Sequence, residues 1–317
     1  LSTFFVILNM VVIMNRTSRL LLILCILVIS FSVYIFYINF DVIMKGIDAF
    51  IDSIKDHEVV IPEDTKNHRV YNYKTVNETN DFNPKNMDDL KKIYYTILNN
   101  GWNEFTFYCD EKIYPGCAND VKILADNNDY VSLINNFVSP YNAYQKFNTL
   151  VTNDEIINIK IDKLYTEDEI NITERSIDEI FKKLNISTGN PTRDDIKSLH
   201  NYLIKNITYD TAYTPQTIDK SPSKAYFALT NGKAICSGYS DSFAIMMDKL
   251  HIPNFKVSTS DHVWNVIYFE NKWQHIDVTW DDDEVNNNNY YNFFMISTND
   301  LLKKDATKHS FDRTEYL

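Results

Sequence analysis

Cys236, His262 and Asp277 are the residues of this 317-residue chain whose types and spacing can do covalent chemistry. A thiol nucleophile needs a base within hydrogen-bond reach, and the base needs a group that fixes its orientation. Asn231-Gly232 is a turn signal, and Tyr239, Phe243, Met246, Met247 and Leu250 follow at helical spacing. Cys236 is therefore expected in the first turn of a buried helix, where unpaired N–H groups and the positive end of the helix dipole favour a thiolate. The same N–H groups can stabilise an oxyanion on an attacked carbonyl. A cysteine standing alone reads first as a small buried hydrophobe. The histidine and the aspartate reverse that reading.

Residues 262–269 and 272–280 are β-rich runs separated by Glu270-Asn271, which reads as an antiparallel hairpin. Alternation places His262, Trp264, Val266 and Tyr268 on one face. A two-residue turn pairs Phe269 with Lys272 and hence Trp264 with Asp277, so Asp277 lies diagonal to His262, about 7–8 Å away between backbones. A carboxylate beside an imidazole fixes its tautomer and keeps it basic. His275 faces the same side and rivals His262 as the base. Asp261-His262 sits at the strand mouth, where a thiol at a helix start can reach it, and this favours His262. Asn265 is on the opposite face and is read as support.

The strings N-G-K-A-x-C-x-G-Y (231–239), H-x-W-N (262–265) and W-x-H-x-D-V-T-W-D (273–281), in this order, resemble the transglutaminase-like superfamily, most of all its bacterial extracellular or membrane-anchored members. Asn206-Ile-Thr-Tyr-Asp210 and Ser223-Lys-Ala-Tyr-Phe-Ala-Leu229 fit the same pattern, so the resemblance runs from about Asp194 to Ser297, a third of the chain. It implies a papain-like α+β core with Cys236 as nucleophile, His262 as base and Asp277 as orienter. Animal transglutaminases carry a tryptophan directly after the cysteine and depend on calcium; here Ser237-Gly238-Tyr239 follow, and no EF-hand-type loop is visible. The run Asp281-Asp282-Asp283-Glu284 is read as a solvated acidic loop. No metal and no cofactor are expected.

The elements that must hold these residues begin with Leu20–Phe40, apolar except for Ser30, Ser32 and Asn39. As a helix it spans about 31 Å, matching a hydrocarbon core of about 30 Å. Arg16 and Arg19 precede it, which puts the N-terminus in the cytoplasm and the rest outside. No A-x-A site stands before Asp41, so an uncleaved anchor is read over a cleaved signal. Met10 or Met14 is a more ordinary start than Leu1, and residues 1–13 need not belong to the natural protein. The expected organisation is an anchor at 1–42, a juxtamembrane and N-terminal α+β region at 43–165, and the transglutaminase-like domain at 166–317. A juxtamembrane helix over 41–60, helices at 87–99, within 119–138, at 166–184 and at 192–205, a strand at 104–109 and a hairpin around Asn153-Asp154 are expected. The tail after Ser297 reads as polar and uninformative.

Tyr209, Tyr226, Gly238, Tyr239 and Trp264 are candidates for the substrate cleft; Gly238 is also expected to allow close helix packing, and for the aromatic side chains ordinary packing is the alternative. Cys109 and Cys117 flank a turn and, outside the cytoplasm, can close a short disulfide loop; otherwise they are two free buried thiols. The net charge of −12 argues against nucleic acid as a partner. The function expected is cysteine-dependent acyl transfer on protein or peptide amide bonds at the cell surface or wall, by hydrolysis or by transfer to an amine. The absent calcium features tilt the reading toward a peptidase or amidase. The alternative is a non-catalytic binding or structural module of the cell envelope, whose binding would survive Cys236→Ala.

Overall fold

The computed structural model describes residues 16–46, 59–71, 73–152, 155–214, 221–282 and 291–316. The chain divides into two compact units, 1–58 and 59–317.

In the first unit, helix α1 (Arg16–Ile38) is one helix near the N-terminus long and apolar enough to cross a membrane. It starts four residues before the expected apolar run, because helical hydrogen bonding extends past the point where side chains turn polar. Asn39 marks a turn, its side-chain amide donating to the Ile35 carbonyl at 2.8 Å, and helical backbone resumes over 40–46. Residues 47–58, with most of the expected juxtamembrane helix, lie outside the described residues; residues 59–60, its last two positions, are not helical.

The second unit opens with an irregular segment and then α2 (Met87–Asn99), N-capped by Asn86, whose side chain accepts from the Asp89 N–H. β1 (Glu104–Tyr108) leads through Cys109 to α3 (Cys117–Asp126) and α4 (Asn128–Phe137). Cys109 and Cys117 form a disulfide with Cα atoms 5.6 Å apart. β2 (Tyr144–Thr152) and β3 (Ile156–Lys163) make the expected hairpin, and the sheet order is β1-β3-β2, all antiparallel; the turn at 153–154 lies outside the described residues.

α5 (Glu167–Leu184) and α6 (Arg193–Asn206) begin with reciprocal capping boxes, Thr166 with Glu169 and Thr192 with Asp195. A short parallel pair, β4 (Thr208–Tyr209) with β5 (Lys233–Ala234), brackets α7 (Ala225–Asn231). Then come α8 (Cys236–Lys249), an antiparallel sheet of β6 (Asn254–Ser258), β7 (Val263–Phe269), β8 (Lys272–Ile276) and β9 (Phe294–Ile296), and short α9 (Val278–Asp281) between the last two strands. The architecture is α+β, with α8 against the sheet.

The tail corrects the expectation made for it. It folds as α10 (Thr298–Lys304) and α11 (Arg313–Tyr316), and Tyr316 is buried, stacked on Phe137 and Phe255. One buried cluster joins Leu90, Phe105, Phe137 and Ile159 to Phe255, Trp264 and Tyr316, so the stretches on either side of residue 166 share a core. Arg69 reinforces the junction: its buried guanidinium donates to both carboxylate oxygens of Asp248 and to Asn254.

Candidate functional site

α7 ends at Gly232, whose φ of 66° is the left-handed C-cap that glycine adopts without a Cβ penalty. Two residues of β5 then deliver Cys236 as the first residue of α8. The N-cap, Ile235, offers no side-chain hydrogen bond to the first turn of α8. Gly238 packs that turn against the chain before it: a Cβ there would lie 2.6 Å from the Pro222 carbonyl oxygen and 2.9 Å from the Ala234 Cβ. Ser240 ties the helix to the strand beside it, donating toward the carbonyls of both Cys236 (2.8 Å) and Val263 (2.9 Å). Asn265 donates to the Ser240 carbonyl, the supporting role expected for it.

The hairpin turns through Glu270 and Asn271, both with positive φ, a type I′ turn that matches the strand twist. Its register pairs Phe269 with Lys272 and Asn265 with Ile276, as the alternation predicts. His262 stands one residue before β7 and Asp277 one residue after β8. Asp277 is thus not a strand residue. It N-caps α9, its Oδ1 accepting from the Trp280 N–H at 3.0 Å, while its Oδ2 faces His262 Nε2 at 2.5 Å. With Nε2 so engaged, the other ring edge is left for half-buried Cys236, whose thiol interacts with the ring. The structure therefore brings the three residues together in the order thiol, imidazole, carboxylate.

Burial opposes charge on His262, but the adjacent Asp277 carboxylate and the hydrogen bonds to Asp277 and Cys236 outweigh it, and the pKa is pushed up to about 10. Burial likewise opposes charge on Asp277, and the two histidines beside it overcome that and hold its carboxyl below the usual range. His275 is a different kind of histidine. Its Nδ1 accepts from Trp264 Nε1 and its Nε2 pairs with Thr298, both at 3.0 Å, and burial with neighbouring positive charge pushes its pKa down to about 3. It faces Trp264 and Thr298, leaving His262 as the base candidate beside Cys236.

Sequence reasoning missed His309. This ring is fully buried, with Nε2 at 2.9 Å from the same Asp277 Oδ2 and Nδ1 at 2.8 Å from Asp305 Oδ2. His262, Asp277 and His309 hold three ligand-type atoms within 4.8 Å of one another. A tetrahedral metal at about 2.0–2.1 Å from each would keep its donors about 3.3 Å apart. The contacts to Oδ2, at 2.5 and 2.9 Å, are closer than that and fit hydrogen bonds.

The cleft candidates fall in different places. The Tyr209 hydroxyl meets the Cys236 backbone N–H; burial and then the nearby sulfur push its pKa up. Tyr239 is fully buried, its hydroxyl hydrogen-bonded to Asp282 and its ring stacked 6.5 Å from Tyr209. Trp264 stacks on His262 at 5.7 Å but is itself buried, a support under the imidazole. Tyr226, on α7, packs half-buried against a second core cluster. The acidic run is not a solvated loop at its start: Asp281 is buried against His200 at 3.0 Å and accepts from the Phe293 N–H. Residues 283–284 lie outside the described residues.

The model of the transglutaminase-like superfamily matches residues 182–278. That stretch belongs to the transglutaminase-like superfamily. It contains Cys236, His262 and Asp277, whereas Asp305 and His309 lie beyond it. Among solved structures, a transglutaminase is 16% identical over 43% of this chain and 44% of its own, with a TM-score of 0.32. A putative cysteine protease from Cytophaga hutchinsonii is 11% identical over 42% of this chain and 61% of its own, with a TM-score of 0.26. A search of curated proteins gives no match.

The transglutaminase-like region was legible because its signals are local strings. His309 gave none: a lone histidine in a polar tail, whose one hint was an aspartate four residues earlier.

Proposed function

We propose that this protein is a thiol acyltransferase or hydrolase acting on protein or peptide amide bonds, with Cys236 as nucleophile, His262 as acid and base, and Asp277 as the group that orients and charges the ring. The observation that carries this is the single imidazole held by Asp277 at Nε2, with the Cys236 thiol interacting with the same ring. In the first step the Cys236 thiolate attacks the substrate carbonyl carbon, and its oxygen takes up the negative charge. The N–H groups at the start of α8 are the donors such an oxyanion would use. Tyr209, already in contact with the Cys236 N–H, moves aside or donates its own O–H. His262 passes its proton to the amine as the C–N bond breaks, leaving a thioester. Water or a second amine then attacks the thioester, His262 takes the incoming proton, and the thiolate leaves. The lean is to hydrolysis.

The proposed location is supported by α1, with Arg16 at its N-terminal end, and by the Cys109–Cys117 disulfide, a bond favoured in oxidising compartments. Both support a single-pass protein with its transglutaminase-like region outside the cytoplasm and cell-surface or wall peptides as substrates. The acidic charge suits basic peptides and repels nucleic acid.

The test labels the full chain with iodoacetamide at pH 6 and reads the Cys236 peptide by mass spectrometry, beside Cys236→Ala and His262→Ala. Fast labelling that His262→Ala abolishes supports the triad. Slow labelling indifferent to His262 would leave a binding module as the better description.

A further inference from the structure

The Asp277 carboxylate is held at three points. Oδ1 accepts from the Trp280 N–H, and Oδ2 is shared between His262 at 2.5 Å and His309 at 2.9 Å. His309 itself cannot turn. Its ring stacks on Phe293 at 5.2 Å and meets the edges of Trp264 and Trp280, each at 4.8 Å. An aromatic box of this kind accepts a phenyl ring for packing alone; a histidine in it is explained by what its two nitrogens face, a carboxylate oxygen each. The second carboxylate, Asp305, is fixed by its own loop, accepting from the N–H groups of Thr307 and Lys308 and from the Thr307 hydroxyl.

We infer that His309, anchored by Asp305, is a positioning residue that fixes the Asp277 carboxylate so that Oδ2 is presented to His262. The inference rests on the triad proposed above and extends it to a chain of contacts, Cys236–His262–Asp277–His309–Asp305, whose last two members come from the segment after α10. One consequence follows. The carboxylate cannot rotate to pair Oδ1 with His262, because both oxygens are already committed.

The test uses the full chain with His309→Gln, His309→Leu and Asp305→Asn, each melted thermally and followed for Cys236 labelling by iodoacetamide between pH 5 and 10. The charged and titratable groups facing His309 are His262, Asp277, Asp305 and, through Trp264, His275. Glutamine places an amide donor near the ring Nε2 and keeps the bond to Asp277; leucine keeps bulk and no donor. Labelling in the leucine chain should slow about tenfold at pH 6, the scale of one lost hydrogen bond to a charged group, with the glutamine chain recovering most of the rate. Equal rates and equal pH profiles in the leucine and wild-type chains would overturn the inference, as would glutamine and leucine chains impaired alike in rate and melting. If the leucine chain does not fold, Asp305→Asn decides. Slower labelling at unchanged melting supports positioning, and unchanged labelling refutes it. Loss of wild-type labelling in His262→Ala, run in parallel, certifies the triad, so a failure of the His309 role is distinguishable from a failure of the triad itself.

Discussion

Asp277→Asn removes the charge beside His262 while keeping the side chain's volume and its cap. The asparagine Oδ1 can still accept from the Trp280 N–H, so α9 keeps its N-cap. His262 loses the carboxylate that works against burial to raise its pKa from 6.5 to about 10. That interval corresponds to about 5 kcal/mol favouring the imidazolium. Losing half of it lowers the ratio of imidazolium–thiolate to imidazole–thiol by about fiftyfold. Labelling of Cys236 tracks the thiolate, so its rate at pH 7 should fall by about tenfold or more in the asparagine chain and recover as pH rises and the thiol ionises directly. Thermal melting near pH 10, where the wild-type ring loses its charge, should differ little between the two chains. A labelling profile that overlays the wild type between pH 5 and 10 would mean that Asp277 does not set the charge on His262. A parallel collapse of rate and melting would make Asp277 a structural residue.

The raised His262 pKa also makes stability depend on pH: its contribution is complete below 6.5, the unfolded value, and is lost as pH rises through about 10. Urea unfolding midpoints should therefore fall between pH 6.5 and 10, and fall less in Asp277→Asn. Gly238→Ala should cost about 1–3 kcal/mol in the same assay, because the new methyl meets the Pro222 carbonyl oxygen, and should slow Cys236 labelling by displacing the start of α8. Replacing Cys109 and Cys117 together by serine should lower stability by about 2.5 kcal/mol, the chain-entropy value for a loop of sequence separation 8, and leave the labelling rate unchanged.

What could be read from the sequence was whatever neighbours decide. The β7–β8 register follows from alternation and a two-residue turn, the capping box of α5 from Thr166-x-x-Glu169, and the N-cap of α6 from Thr192 with acidic residues in the first turn. The start of α8 follows from Asn231-Gly232 and the helical spacing after it. Parity placed Asp277 beside His262, yet the strand stops at Ile276, because Asp277 caps the next helix instead. Long-range burial was not legible. Asp281 reads as solvent-facing until α6 brings His200 to it, and the tail reads as polar until Tyr316 enters the core and His309 the aromatic box. Nothing in the local string separates such residues from surface ones.

The most direct measurement is intact-mass analysis of the full chain during reaction with a p-nitrophenyl ester, a small activated acyl donor. One acyl group per chain is expected, formed with a burst of nitrophenolate, mapped to Cys236, absent in Cys236→Ala and strongly slowed in His262→Ala. Acylation elsewhere, or none at Cys236 in a folded chain, would contradict Cys236 as the nucleophile.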